Sequence, residues 1–245
     1  MKWPSIKLQL TAFLSAFAVY LSFLNKDARF LSTLLLAVVC ALSLETFLIY
    51  LKTGRWRVSD SAVISGLIIG YVLSSREPWW VFLLAAVFAI GSKRLIRFHK
   101  RHLFNPAAFG IFSTAILFRA SMQWKGADLW FVLAPIGFYF VSRIRKTAVV
   151  AGYLAGFLTL FGSQALIQKI PLWQVLLYQN YFFIFIMLIE PKTTPVNLRG
   201  KFFFGLGVAA CAFILTAISF PYDAELLSLL ILNLIASPRR IAGKI

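Results

Sequence analysis

Three carboxylates, Glu45, Asp60 and Glu190, lie within or at the edge of apolar runs, and two amides, Asn105 and Asn233, lie in similar places. Glu45 sits about seven residues before Lys52, roughly 10 Å by helical rise, inside an apolar run. A carboxylate at that depth is costly. It either handles a proton or cation, or serves as the structural partner of a cation or a broken helix. Asp60, with Ser61 beside it, precedes a helical run and suits an N-cap; contact with a ligand is the other use. Ser65 and Gly66 follow on the same run. Glu190 stands just before Pro191, where it is either solvated in a loop or part of a site. Asn105 and Asn233 can each cap a half-helix or donate to a ligand carbonyl. Thr193 and Thr194, beside Pro195, suit a turn or a polar contact.

No soluble catalytic constellation accompanies these residues. There is no Gly-rich phosphate loop, no Cys-x-x-Cys and no Ser-His-Asp arrangement, so the chain alone is not expected to catalyse bond chemistry. His99 and His102 are spaced for one face of a helix, but a third Cys or His ligand is missing nearby and no metal site is expected. Cys40 and Cys211 fall in apolar runs and read as packing residues.

The elements that must position these groups are membrane spans. The chain is 60% hydrophobic with mean hydropathy +0.83, yet carries 25 Lys and Arg against 8 Asp and Glu. Ten apolar segments can be drawn, over about 8–24, 29–51, 61–75, 78–96, 103–118, 127–144, 147–168, 171–190, 201–220 and 225–238. With the N-terminus inside, 19 of the 25 basic residues fall on the cytoplasmic side. Lys26, Arg29, Arg76, Arg119, Lys125 and Lys169 fall outside. That bias predicts a multi-pass protein of the cell (inner) membrane with both termini cytoplasmic. The net charge of +17 is then explained by loops held against an anionic leaflet. Nucleic-acid binding is not expected, because no polar segment is long enough to build a basic face. The first run follows Lys2 and Lys7 like a signal sequence but lacks a clear cleavage site, so it reads as retained. Trp79, Trp80, Trp124, Trp130 and Trp173 fit an outer aromatic belt.

Several segments are too short or too broken for a straight crossing, which needs about 20 residues. Residues 62–73 supply about a dozen before Ser74-Ser75-Arg76-Glu77-Pro78; Asn105-Pro106 opens the fifth segment; the tenth is short, contains Asn233 and ends at Ser237-Pro238. Broken helices at membrane depth are tolerated where they are buried or line a cavity. They fall at matching places in two halves of five segments. The expected fold is therefore an all-α polytopic membrane protein, about ten transmembrane segments in two inverted five-segment repeats with broken or half helices. It forms one integral membrane domain, 1–245, with repeat one over about 8–118 and repeat two over about 127–241. Gly66, Gly70 and Gly110 are expected to permit close helix contact.

The stretches Ser43-Leu-Glu45-Thr, Ser59-Asp60-Ser61-Ala-Val-Ile-Ser65-Gly66-Leu, Pro78-Trp79-Trp80 and Asn105-Pro106-Ala107-Ala108 resemble one family in order and spacing. It comprises the RnfD component of the Rnf electron-transport complex and the NqrB component of the sodium-pumping NADH:quinone reductase. Met187-Leu-Ile-Glu190-Pro191-Lys-Thr193-Thr194-Pro195 and Leu230-Ile-Leu-Asn233 resemble its second half. The resemblance spans about 36–118 and 180–238. It implies an integral membrane subunit of an ion-coupled electron-transport complex, with membrane and redox partner subunits carrying iron–sulfur, flavin and nicotinamide chemistry. It also implies FMN held through the threonine of a Ser-Gly-Ala-Thr segment. The nearest stretch here, Gly162-Ser163-Gln164-Ala165-Leu166, lacks that threonine. Covalent FMN is therefore not expected, and the alternatives are a non-covalent flavin (FMN or riboflavin) or an empty cavity.

The cofactor-binding or ion-pathway residues are expected at Glu45, Asp60, Ser61, Ser65, Gly66, Asn105, Glu190, Thr193, Thr194 and Asn233, with Asp60–Gly66 and Asn105, and Glu190–Thr194 and Asn233, converging near the pseudo-symmetry axis. A small-solute channel or transporter of the same inverted-repeat fold is the competing function, and a membrane scaffold without redox function is a third. The charge bias makes a direct prediction. A reporter fused after Lys146 should read cytoplasmic and one at Lys169 external; the opposite reading at either site breaks the ten-span topology.

Overall fold

The computed structural model describes residues 4–98, 101–177 and 179–237. Lys2, His99, Lys100, Pro238, Arg239, Arg240 and Lys244, all noted in the sequence, lie outside them. The chain is helical almost throughout: α1 Ile6–Leu24, α2 Ala28–Thr53, α3 Asp60–Val72, α4 Trp79–Leu95, α5 Pro106–Phe118, α6 Trp130–Arg143, α7 Thr147–Ile167, α8 Leu172–Leu177, α9 Leu198–Ala217 and α10 Ala224–Ala236. Two-residue strands, β1 Arg97–Phe98 and β2 Arg101–His102, lie between α4 and α5.

Four helices, α1, α2, α7 and α9, are long and apolar enough to cross a membrane, and α3, α5, α6 and α10 are shorter apolar helices. The 13 residues of α3 cover only about 20 Å at 1.5 Å each. The eighth apolar segment is not one helix. It divides into α8 and a π-helical stretch, Phe183–Met187, opened by Asn180 Oδ1 accepting from the Phe183 N–H at 2.9 Å. The i→i+5 pattern shows in Leu188 N to Phe183 O, 2.9 Å. Pro191, which has no N–H, follows and prevents the helix from continuing.

The described residues pack as two compact units. The first takes Met1–Arg97 with Pro106–Gly126, the second Phe98–Asn105 with Ala127–Ile245. In the first, α2 packs on α3 and α4, α4 on α5, and α1 on α3 and α2. In the second, α7 packs on α9 and on the π-helical stretch, α9 on α10, and α6 on the π-helical stretch and α7. With the π-helical stretch set against α3 these pairings correspond, except that α3 also packs on α4 and α5.

The turns agree as well. α1 ends with Lys26 in the left-handed region (φ 51°) and Asp27 N bonded to Ser22 O at 3.1 Å. α6 ends with Arg145 there (φ 56°) and Lys146 N bonded to Val141 O at 2.9 Å. Both are Schellman turns, which satisfy carbonyls that the helix end leaves open. Each places one charged residue, Asp27 or Lys146, at the start of the next helix.

Glycine seams set the helix spacing. A Cβ on Gly66 would lie 2.5 Å from Val38 Cα, and one on Gly70 2.6 Å from Leu34 Cα, so α2 and α3 touch backbone to backbone. Gly110 does the same for α5 against the Ala85 carbonyl of α4. In the second unit a Cβ on Gly152 would strike Phe202 O, and one on Gly205 would strike Val149 O, closing α7 on α9. Backbone cannot step aside as a side-chain tip can. Gly205→Ala should therefore lower detergent stability by about 1–3 kcal/mol. Gly91→Ala, with nothing within 4 Å, should be neutral or stabilising by about 1 kcal/mol. Thermal melting of both variants checks this contrast.

Candidate functional site

In the first unit the chemistry gathers on Glu45. Its position, 3% exposed within α2, faces the last turn of α4, where Lys93 is 7% exposed. Lys93 Nζ lies 2.5 and 2.6 Å from the two carboxylate oxygens and donates to Ser61 Oγ at 2.6 Å. Its three protons thus have three oxygen acceptors. Ser61 Oγ also shares a 2.9 Å hydrogen bond with Ser59 Oγ, and Ser65 Oγ donates to Ser61 O at 2.9 Å. Arg94 Nη2 approaches Glu45 Oε1 at 3.9 Å, while Arg94 Nε and Thr46 Oγ1 are buried without hydrogen-bond partners among the described residues. Glu45 is therefore an ion-paired carboxylate at the entry of the short helix α3.

The second unit builds its cluster on the carbonyls that the π-helical stretch leaves open. Asn105 Nδ2 donates to Met187 O at 3.1 Å, and Thr194 Oγ1 donates to Glu190 O at 3.1 Å. Glu190 Oε1 is 2.9 Å from His102 Nε2, and Glu190 Oε2 is 3.4 Å from Thr193 Oγ1. Lys146 Nζ donates to Thr194 Oγ1, and to Pro195 O at 3.2 Å. Thr193 and Thr194 are fully buried. Helix ends in an apolar setting require such donors, because water is not there to replace them.

A third cluster ties together loops of the first unit. Asp27 caps α2 by accepting from Phe30 N at 3.0 Å, and its Oδ2 accepts from Lys125 Nζ at 2.7 Å and Ser75 Oγ at 2.8 Å. Partial burial raises the Asp27 pKa, but the hydrogen bonds from Lys125, Ser75 and Phe30 and the Lys125 charge outweigh it and hold the carboxyl below the usual range.

The structure places the sequence-predicted residues unequally. Glu45, Ser61 and Ser65 join one cluster, and Gly66 packs against α2 next to it. Asn105, Glu190, Thr193 and Thr194 join the other. Asp60 is not the N-cap. It is the first residue of α3 and exposed; the cap position belongs to Ser59. Its carboxyl still suits the positive end of the helix, which needs no capping bond. Asn233, fully buried, donates to Leu229 O at 2.5 Å within its own helix. His102 is on a strand rather than a helix and pairs with Glu190, and its expected helical partner, His99, lies outside the described residues; among the described residues no three His, Cys, Asp or Glu side chains gather for a metal.

Sequence reasoning missed Lys93, Lys125 and Lys146. Charge counting assigns them to loops facing lipid headgroups, but each is buried and hydrogen-bonded. It also missed Tyr153, Gln179 and Glu225, which meet in the second unit. An acidic residue at the head of the tenth apolar segment was the available signal for Glu225.

Apolar helices broken at polar, buried clusters define a helical membrane protein. The NQR2, RnfD, RnfE family matches residues 6–138, more than half of the chain, and the chain belongs to that family. It is 32% identical over 108 residues to the D-type subunit of the ion-translocating oxidoreductase complex of Yersinia enterocolitica, covering 42% of this chain and 31% of that protein. It is 33% identical over 93 residues to the protein of the same name from Cronobacter sakazakii, covering 36% and 27%. The matched stretch thus spans under a third of these relatives' length. The family match includes Glu45, Asp60, Ser61, Ser65, Gly66 and Asn105, and ends before Glu190, Thr193, Thr194 and Asn233.

The first-unit ion pairs make measurable differences. Lys93→Met strands the Glu45 charge and should cost about 3–5 kcal/mol, whereas Glu45→Gln, which keeps an acceptor for the ammonium, should cost about 1–3 kcal/mol. Chemical denaturation in detergent ranks them, and equal losses would contradict the ion pair. Asp27 has a folded-state pKa below its unfolded one. Its contribution is present above the unfolded value and lost as pH falls through the folded value. Stability against pH should flatten at its acid end in Asp27→Asn, relative to the parent.

Proposed function

We propose that this chain is an integral membrane subunit of an Rnf/Nqr-like, ion-coupled electron-transport complex. The observation that carries the reading is the buried Glu45–Lys93–Ser61 cluster, set at a short helix inside the family-matched region. Buried charge at a helix break within an apolar fold is a feature of ion paths. The relatives, named as subunits of an ion-translocating oxidoreductase complex, support the same assignment. We further propose ten crossings of the cell (inner) membrane with cytoplasmic termini, and two five-segment repeats in inverted orientation. The like order of helix pairings in the two units supports the repeats.

The partners in this reading are the other membrane and redox subunits, and the chain catalyses no bond chemistry by itself. Covalent FMN does not suit the residues present. Gly162–Leu166 is part of α7, and the Ser163 hydroxyl donates to Leu160 O at 2.8 Å. Any flavin is held non-covalently.

The tagged chain, purified from its native membranes, should bring flavin- and iron–sulfur-bearing polypeptides with it. Its deletion should abolish ion uptake driven by electron transfer in membrane vesicles. Solute flux through liposomes holding the chain alone, with no co-purifying redox subunit, would favour the channel reading instead. Fluorescence of the denatured band under ultraviolet light tests the flavin: no fluorescence should remain on the polypeptide.

A further inference from the structure

A second carboxylate, in the second unit, differs from Glu45 in having no cationic partner among the described residues. Glu225 stands in the first turn of α10. Its Oε1 accepts from Tyr153 Oη of α7 at 2.8 Å and from Gln179 Nε2 at 3.3 Å. Gln179 Nε2 also donates to Tyr153 Oη at 3.1 Å. Tyr153 is 1% exposed and Gln179 4%. Asp223 faces the group from the cap of α10 and Asn180 from beside Gln179. Among the described residues no Lys, Arg or His forms an ion pair with Glu225. At the other end of the Gln179 amide, Oε1 is buried and has no hydrogen-bond partner among the described residues. A buried acceptor without a donor and a carboxylate without a cation are each costly, and a cation held between Gln179 Oε1 and a Glu225 oxygen would relieve both.

We propose that Glu225, Gln179 and Tyr153 form a site for a small exchangeable monovalent cation, a proton or a sodium ion. All the donors are oxygens, the ligand type that hard cations take. The amide orientation fits this use. With Glu225 ionised, turning Gln179 over would set its carbonyl against the carboxylate oxygen and leave the NH2 group buried without an acceptor; with Glu225 protonated, the turned carbonyl would accept its proton. The proposal deepens the ion-coupled reading, on which its physiological meaning rests, but binding at this site needs neither an electron donor nor a partner subunit.

The test uses dicyclohexylcarbodiimide, an apolar reagent that attacks protonated carboxyl groups, on the full chain in detergent, with mass-spectrometric mapping. Glu225 should be labelled, and Glu45, held by Lys93, should not. Above the site's midpoint the rate should fall about tenfold per pH unit. If sodium binds, replacing potassium by sodium at constant ionic strength should slow labelling further; if the ligand is a proton alone, sodium should have no effect. Gln179→Leu should keep the label but shift the midpoint by about tenfold in cation concentration, as for one lost polar ligand. Glu225→Gln should remove the label. Absence of label on Glu225 in the parent chain, or a rate indifferent to both pH and sodium, overturns the proposal. Loss of electron-driven uptake with the label intact would instead count against the complex-subunit reading.

Discussion

A lysine ammonium removed from water costs several kcal/mol unless oxygen acceptors replace its hydration. Lys93, Lys125 and Lys146 are all removed from water, each less than a tenth exposed. Each also joins parts of its own unit that helix packing alone would leave apart. Lys93 binds α4 to α2 and to the start of α3. Lys125 binds the chain after α5 to the cap of α2 and lies 5.4 Å over the Phe30 ring. Lys146 binds the start of α7 to the loop after the π-helical stretch. The irregular backbone of both units depends on these ammonium groups, which makes the short helices tolerable in an apolar setting.

Around these anchors the packing is tight and backbone-driven. Gly66 and Gly70 let α3 sit against α2, and Gly152 and Gly205 bring α7 onto α9. Close approach of this kind replaces the hydrophobic drive that lipid cannot supply between helices. It also fixes the register at which side chains meet. A shifted α3 would carry Ser61 away from Lys93, and the Glu45 pair would lose a partner.

Glu45, buried, and Glu225, of intermediate exposure, show how one residue type meets two surroundings. Glu45 is paired with Lys93 and approached by Arg94, so its charge is met within the protein. Glu225 is met by a phenol and an amide, which hold it without cancelling its charge. Electrostatics therefore separates a carboxylate paired with a cation of the protein from one held by neutral groups, within a chain whose family match covers residues 6–138.

Much of the fold was legible in the sequence because hydropathy is a local quantity. Among the described residues, nine of the apolar runs correspond to single helices, and the break in the eighth was announced by polar and proline residues around it. The prominence of Glu45, Asn105, Glu190, Thr193 and Thr194 was legible for the same reason, since a polar residue in an apolar run stands out. Their partners were not. Lys93 and Lys146 look like any charge at a helix end, and only packing turns them inward, 48 residues from Glu45 and from Thr194 respectively. Asp60 read as a cap because capping preferences are statistical, while a shift of one residue in the helix start decides whether the carboxyl is used. Glu225 needed Tyr153 and Gln179 to become a site, and those come from elements 72 and 46 residues away. Composition determined which segments are apolar and which residues are costly there. Which costs are met by a partner, and which are left for an ion, was decided by the tertiary structure, because a desolvated charge responds to neighbours within a few ångströms whatever their place in the chain.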